Sequence, residues 1–429
     1  MAIKIEKSKK NINPFGGINF VIDKLKSAGI PHIIDNLLGK RPPQSSYSYS
    51  DIILGNSYSN LCGGTCLNDI DVLNEAWGNI PELKIASSHN TSTVIRSLAT
   101  QTETIISDTK VEHEFNINPL LNDLLLKVSL KTNMLKKESD NICDYDNVIT
   151  PNENYDAKQT YKGYKGYQPG VAYINKLPIF VEGRNGNSNA SFQITETLKR
   201  LFDGLSKNEI KISHFRSDGA AYQSEAIKTI MSYCDNFYVR MQSSAGVYDS
   251  IRAIEKWEDV EINYRNYEVA SLPYNPLGLI DCNLRVVIYR WDDKKPKTKD
   301  MFTDDTKLYL FILTDNWLMT EKEVIEFYNA RGGEEKNFDV LNNDFNWANM
   351  PFSFLNENTV FMQLTALTNI IYKYMANWLS SKVDWFKSNF RLKKFILRFI
   401  TVASKWNYRG REWKLILFTD KNYELFDTS

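Results

Sequence analysis

The sequence predicts an α/β protein built on a mixed β-sheet flanked by helices, with an N-terminal helical domain and a β-rich insertion. Three observations lead there. Residues 141–242 read in the order strand, strand, strand, helix, strand, helix, strand: three antiparallel strands, then crossovers through helices. Residues 1 to about 135 carry apolar positions at helical spacing. Residues 243–306 turn β-rich and irregular before a strand and helix resume the earlier pattern. A chain of 429 residues supports two or three domains with a substantial core.

The elements come in order along the chain. "GGINFVIDKLKSAGIPHIIDNLLG" is helical, interrupted by Gly29 and Pro31. "NDIDVLNEAW", "TSTVIRSLATQTETI", with its Ser/Thr cap candidates, and "NPLLNDLLLKVSLKTNML" continue the pattern, a helical bundle rather than a βα unit. "NICDYDNVI" alternates as a strand does. A Tyr- and Lys-rich loop (151–168) leads to "GVAYINKLPIFVEGR", a hairpin turning at Asn175-Lys176. "SFQITETLKRLFDGLSK" is an amphipathic helix, "IKISHFRSDG" a strand, "AYQSEAIKTIMSYC" a helix and "NFYVRMQ" a strand. "DVEINYRNYEVASLPY" and "GLIDCNLRVVIYRW" form the insertion, closed by the charged loop "DDKKPKTKD". "KLYLFILTDN" reads as a buried strand, and Thr320 with Glu323 fits a capping box opening the next helix. A long helix spans 358–380, before a basic, aromatic tail.

Composition narrows the function classes. Lys+Arg equals Asp+Glu at 52 each, so any attraction to nucleic acid must be local. No apolar run reaches the roughly 18 residues of a membrane span. The polar, basic start is not a signal peptide. The five cysteines are scattered, which argues against a disulfide framework and for a reducing cytoplasm. Cys62 and Cys66 lack the second Cys/His pair that a zinc site needs.

Three acidic positions stand out. Asp144 and Asp146 share one face of the first strand by period-2 alternation. Asp218 ends the fourth strand, which this topology places beside the first. Glu334 and Glu335 lie on the helix after the last strand, behind Gly332-Gly333. Singly, such residues are turn caps or solvated faces. Together, three converging carboxylates suit Mg²⁺ or Mn²⁺, hard cations that prefer oxygen, and phosphodiester chemistry.

This pattern resembles the ribonuclease-H-like core of DDE transposases, most closely bacterial insertion-sequence transposases with a Tyr-Arg-Glu helix signature and a β-rich insertion. Tyr328, Arg331 and Glu335 match the family's Y-x2-R-x3-E spacing, and on a straight helix they share one face within about 60°. "DYDNV" resembles the first-acid strand and "FRSDGAAYQSEAI" the second. The resemblance implies Asp146, Asp218 and Glu335 as the catalytic, metal-holding triad. Val148 stands where the family usually has Thr, which keeps Asp144 as an alternative first acid. A lysine common seven residues past the glutamate is replaced by Asn342, with Lys336 the nearby cation.

The implied activity is metal-dependent cleavage at the ends of a mobile element and joining of the 3′ ends to target DNA. The alternatives are an inactive or repurposed DNA-binding protein on the same fold, or a metal-dependent nuclease. The implied partners are double-stranded DNA, as terminal inverted repeats and target, and a second copy in the synaptic complex, in a bacterial cytoplasm and without a membrane. Residues 382–414 carry ten Lys/Arg against two Asp/Glu, a local charge of +8, interleaved with aromatics. Lys393, Lys394, Arg398, Arg409 and Arg411 there, with Tyr328, Arg331 and Lys336, are the expected DNA contacts. Phe395, Ile396, Phe399 and Ile400 form the apolar side of the same segment. The domains read as 1–138 (helical, DNA-binding), 139–242 and 307–380 (the two parts of the core), 243–306 (insertion) and 381–429 (basic-aromatic region).

Overall fold

The computed structural model describes residues 3–6, 12–78, 80–242, 245–276, 278–279, 282–292 and 307–426, without the side chains of 245–246 and 334–335. Five helices open the chain: α1 (Ile18–Ser27), α2 (Ile30–Leu38), α3 (Tyr49–Leu61), α4 (Asp69–Trp77) and α5 (Ser88–Leu98). A hairpin, β1 (Thr102–Ile106) and β2 (Glu112–Asn116), separates them from α6 (Pro119–Lys131). Next come β3 (Ile142–Asn147), the short β4 (Thr150–Pro151), β5 (Lys158–Gln159) and β6 (Lys165–Tyr167), then β7 (Gly170–Ile174) and β8 (Leu177–Arg184). Alternation continues through α7 (Ile194–Lys207), β9 (Ile212–Ser217), α8 (Ser224–Tyr233) and β10 (Cys234–Met241). The insertion holds α9 (Ala245–Arg252), β11 (Glu258–Ile262), β12 (Arg265–Pro273) and β13 (Arg285–Asp292), and β14 (Lys307–Thr314) returns to the centre. The last elements are α10 (Glu321–Asn329), α11 (Glu334–Asp344), α12 (Leu355–Lys382), α13 (Leu392–Phe395), β15 (Ser404–Arg409) and β16 (Glu412–Leu417).

One sheet organises the chain, in the order β1-β2-β8-β7-β3-β9-β10-β14-β13-β12-β11. At its centre, β8, β7 and β3 are antiparallel neighbours, while β9 and β10 add in parallel after the α7 and α8 crossovers. This is a mixed sheet flanked by helices, consistent with the ribonuclease-H-like core. The Asn175-Lys176 turn forms as the sequence indicates, with both residues at positive φ (52° and 68°), as a type I′ hairpin turn requires. The β-rich segment continues the same sheet, since β14 pairs with both β10 and β13. The charged loop of residues 292–300 lies, apart from Asp292, outside the described residues.

One helical expectation is corrected. The second half of "TSTVIRSLATQTETI" is not helix: α5 ends at Leu98, and Thr102–Ile106 pairs with Glu112–Asn116. The reason is tertiary. The outer edge of β8 is a row of free backbone groups, and β2 covers its end at Phe115↔Arg184 and Asn116↔Gly183.

Helix α12 lies across β8 and α6 and is apolar on most sides, so most of it is buried. Several of its buried polar groups are bonded, although the Gln363 and Asn369 side-chain oxygens have no partner among the described residues. Gln363 donates to the Asn118 carbonyl (3.1 Å) and the Asn122 side chain (3.0 Å), and Asn122 in turn bonds both backbone groups of Val181 on β8. Trp347 donates to Thr365 at 2.8 Å. A smaller cluster packs Val324, Ile325 and Tyr328 of α10 against Tyr238, Val287, Tyr289 and Ile312 of the sheet. No helix among the described residues is long and apolar enough to cross a membrane.

Contact between β8 and α12 is close at Gly183, where an added Cβ would collide with the Thr359 side chain. Gly183→Ala is therefore expected to cost about 1–3 kcal/mol of stability, and adding Thr359→Ala to recover part of it. Urea midpoints of the two single variants and the double variant measure this.

Candidate active site

The parallel register of β3 and β9 brings the first two acids together. Asp144 lies opposite Arg216 and Tyr145 opposite Ser217. One step further along both strands come Asp146 and Asp218. Alternation sets Asp144 and Asp146 on one face of β3, and Arg216 and Asp218 on the matching face of β9.

The two aspartates of β3 do different things. Asp144 is buried, and both its oxygens are taken by Arg216, at 2.6 and 2.7 Å. This is the bidentate geometry in which arginine holds a carboxylate most firmly. The same guanidinium donates to the carbonyl of Phe327, near the end of α10, and lies 4.8 Å from the Phe327 ring centroid. Asp146 accepts one hydrogen bond from Arg331 at 2.8 Å and one from the Asn147 N–H at 2.9 Å. Burial pushes its carboxyl up to about 6; Arg331 opposes the rise and the neighbouring charge of Asp218 adds to it. Asp218 caps the short turn Gly219–Ala221, its Oδ1 accepting the Ala220 N–H at 2.9 Å.

The third segment comes from α10. Thr320 and Glu323 make the expected capping box. The Tyr328 hydroxyl donates to the Ser217 carbonyl at 3.4 Å, next to Asp218, and burial raises its pKa. Arg331 sits 5.7 Å above the Tyr328 ring. Burial opposes its charge, but Asp146, Tyr328 and Asp218 outweigh burial and hold it more firmly protonated than usual. The helix does not run straight to Glu335. Ala330–Gly333 winds as a 3₁₀ turn, and α11 starts at Glu334. Four residues at about 120° instead of about 100° rotate α11 by roughly 80° relative to α10, so straight-helix phase does not relate Tyr328 to Glu335. The Glu334 and Glu335 side chains lie outside the described residues. Among the described residues no three His, Cys, Asp or Glu side chains gather closely enough to hold a metal.

Beside Asp218 opens a cleft of about 1160 Å³, lined also by Asn147, Gln168, Tyr161, Arg240 and Gln242. The Lys- and Tyr-rich loop supplies one wall, folded by β4, β6 and β5 into a small sheet. Val148 packs against the core, and Asn342 is half-buried on α11.

Apart from Arg331, which is half-buried and paired with Asp146, the basic residues expected to meet DNA are exposed but scattered. Lys336 is on α11, and Lys393 and Lys394 are on α13. Arg398, also exposed, donates to the Trp385 carbonyl. Arg409 and Arg411 are at the tip of the β15–β16 hairpin. The region is not one amphipathic helix: α13 has four residues and passes into a π turn, Ile396–Ile400. Phe395, Phe399 and Ile400 are core as expected, and Ile396 is only partly buried. Part of the +8 is also neutralised, because Arg391 binds Asp344 through two nitrogens and Asp339 through the third. Sequence reasoning misses Arg216. Its signal is nonetheless present: an arginine two residues before Asp218, on the strand that pairs in parallel with the one holding Asp144.

The site's protonation and its turn can each be measured. A carboxyl whose folded pKa lies above its unfolded value of about 3.9 keeps its proton longer in the native state. Native protein then binds more protons than unfolded, and stability falls as pH rises from about 4 to about 6. Asp146→Asn is expected to flatten that fall, read as the difference between the two proteins' urea midpoints from pH 4 to 7 in chelator. Gly333 has φ −65° and open space where a Cβ would go. Gly333→Ala is expected to raise stability by about 0.5–1 kcal/mol in thermal melts.

No curated protein sequence matches the chain. A solved structure similar to it is a piggyBac transposase synaptic complex with hairpin DNA, at 12% identity and a TM-score of 0.39, covering 90% of this chain and 78% of that one. The family model described as transposase DDE domain group 1 matches residues 3–424. With nearly its whole length matched, and two acids at the ends of adjacent core strands, the chain belongs to the DDE transposases of that group.

Proposed function

We propose that this transposase cleaves DNA at the ends of its mobile element and joins the freed 3′ ends to target DNA, using Asp146, Asp218 and Glu335. The observation that carries the reading is the side-by-side placement of Asp146 and Asp218 at the ends of β3 and β9. Asp146 rather than Asp144 is taken as the first acid because Asp144 is buried in a bidentate pair with Arg216, whereas Asp146 is partly exposed at the strand end next to Asp218.

The donor set fits a divalent cation. It consists of hard carboxylate oxygens, and the two neighbouring negative charges have Arg331 as their partner on one side only, bonded to Asp146. Asp146 and Asp218, with Glu335, would hold Mg²⁺ or Mn²⁺. When bound, such a pair of ions lowers the pKa of an attacking hydroxyl and stabilises the leaving oxygen. The protein's own groups do the rest. Arg331 opposes protonation of Asp146, keeping it anionic near neutral pH, and brings a guanidinium to where a phosphate would lie. Tyr328 ties the Arg331 turn to the Ser217 carbonyl, so the turn and Asp218 hold a common position. Asp218 is steadied by its own cap. In the reaction, water attacks the phosphodiester at the element end and the 3′-oxygen leaves as a hydroxyl. That hydroxyl then attacks a target phosphodiester and displaces the target's 3′-oxygen, with no covalent bond to the protein.

The helical region 1–138 is proposed to recognise the element ends. The basic groups Lys336, Lys393, Lys394, Arg398, Arg409 and Arg411 would neutralise phosphates, and a homodimer would pair the two ends. The test is cleavage and strand transfer on duplexes carrying the terminal repeats, with Mg²⁺ or with chelator. Asp218→Ala and Glu335→Ala are expected to lose at least a thousandfold in both steps while still binding DNA, and Glu334→Ala to stay within about tenfold of the parent. DNA binding without cleavage by the parent protein would favour a repurposed binding protein, and cleavage without joining a nuclease.

A further inference from the structure

The β15–β16 hairpin is built unlike the rest of the basic C-terminal region. Six residue pairs, from Ser404↔Leu417 to Arg409↔Glu412, close on the two-residue turn Gly410-Arg411. Both turn residues have positive φ (67° and 65°), as a tight type I′ turn requires. Such a turn matches the strand twist and makes a stiff ribbon.

The ribbon is anchored at one end only. At its base Ser404 is buried and exchanges backbone hydrogen bonds with Asn13, and Trp406 donates to the Asn19 side chain of α1 at 3.0 Å. Towards the turn the side chains emerge. Tyr408 is 62% exposed and Trp413 53%, their rings 5.2 Å apart across the strands. Lys405, Arg409, Arg411 and Lys414 make no side-chain hydrogen bond or ion pair among the described residues; Glu412 is the one acid within the ribbon itself, and Asp23 and Glu424 line the hollow that Trp413 and Lys414 border. Arg391, by contrast, is fully engaged with aspartates. The turn end thus carries two arginines without ion-pair partners among the described residues, and an aromatic pair more than half exposed.

We infer that this hairpin is a DNA probe that enters the major groove of duplex DNA, with Arg409 and Arg411 reaching base edges or inner phosphates and Tyr408 and Trp413 packing against the groove wall. The inference rests on the proposed DNA function and adds the element and groove used. Size selects the groove. Strands about 4.8 Å apart, with side chains, fit the major groove of about 12 Å and not the minor groove of about 6 Å. Charge selects the partner, because four cations against one acid complement a polyphosphate, and arginine pairs with guanine in that groove.

The test uses the full chain and a 40-base-pair duplex of random sequence, with affinity measured by fluorescence anisotropy over a range of salt. Arg409→Ala/Arg411→Ala is expected to weaken binding at least tenfold and to lower the salt slope by about 1–2. Tyr408→Ala/Trp413→Ala is expected to weaken it severalfold with the slope unchanged. Both pairs are exposed, so thermal midpoints should match the parent's. Methyl green, a major-groove ligand, should displace the parent protein, and netropsin, a minor-groove ligand, should not. Parent-like affinity in both variants would overturn the inference while leaving the transposase reading intact. Displacement by netropsin alone would overturn the choice of groove. If sedimentation shows that Tyr408→Ala/Trp413→Ala separates copies of the chain without changing DNA affinity, the tip is a self-interface and the inference fails. Failure of the parent protein to bind any duplex would count against the proposed function itself.

Discussion

The guanidinium of Arg216 joins three parts of the chain that are far apart in sequence. Two of its nitrogens clamp Asp144 across the parallel pair β3–β9, and the third holds the Phe327 carbonyl of α10. A buried, bidentate pair of this kind is demanding: removing one partner leaves an uncompensated charge inside the protein, a loss of roughly 3–5 kcal/mol. Its geometric effect matters as much. A slip of one residue between β3 and β9 would turn one strand's acids to the opposite face. With Asp144 opposite Arg216, Asp146 and Asp218 come side by side. With Phe327 held, Tyr328 and Arg331 arrive at the same end of the sheet.

Much of this frame is legible in the sequence because its signals are local. The Asn175-Lys176 turn, the Thr320–Glu323 capping box and the strand alternation each depend on neighbouring residues. The features that escape depend on partners distant in sequence. Thr102–Ile106 is a strand because β2 meets the free edge of β8, and nothing within "TSTVIRSLATQTETI" announces that edge. "SKWNYRGREWKLIL" contains a hairpin, but its charge and aromatic content dominate a compositional reading. Alternation alone places Asp144 and Asp146 on one face and cannot separate them. Only the cross-strand register, with Arg216 facing one of them, does so. The spacing of Tyr328, Arg331 and Glu335 puts them on one face only if the helix is straight, whereas two consecutive glycines allow a tighter turn between α10 and α11.

The β-rich segment shows how such a frame accommodates additional structure. β14 is shared: it completes the pairing of β10 and at the same time opens an edge to which β13, β12 and β11 add. Growth at a sheet edge leaves the central register untouched, so the strands bearing the acids and the helix after them keep their places. The same strands give α10 an apolar bed, against which Val324, Ile325 and Tyr328 are buried.

The two ends of the chain are zipped together. Asn13 and Ser404 exchange backbone hydrogen bonds, Gly16 and Gly17 donate to the carbonyls of Val402 and Ile400, and the Phe20 ring stacks on Tyr423 at 5.4 Å. During translation the first helix therefore emerges long before these C-terminal partners exist. Part of its apolar face is covered early by α2, but Phe20 meets Tyr423 only at the far end of the sequence. A chain lacking residues 399–426 would keep both aspartates, yet it would leave the Phe20 ring without Phe399, Tyr423 and Phe426. The packing of α1 thus depends on residues at the opposite terminus, so integrity of the C-terminal segment is built into the helical region that opens the chain.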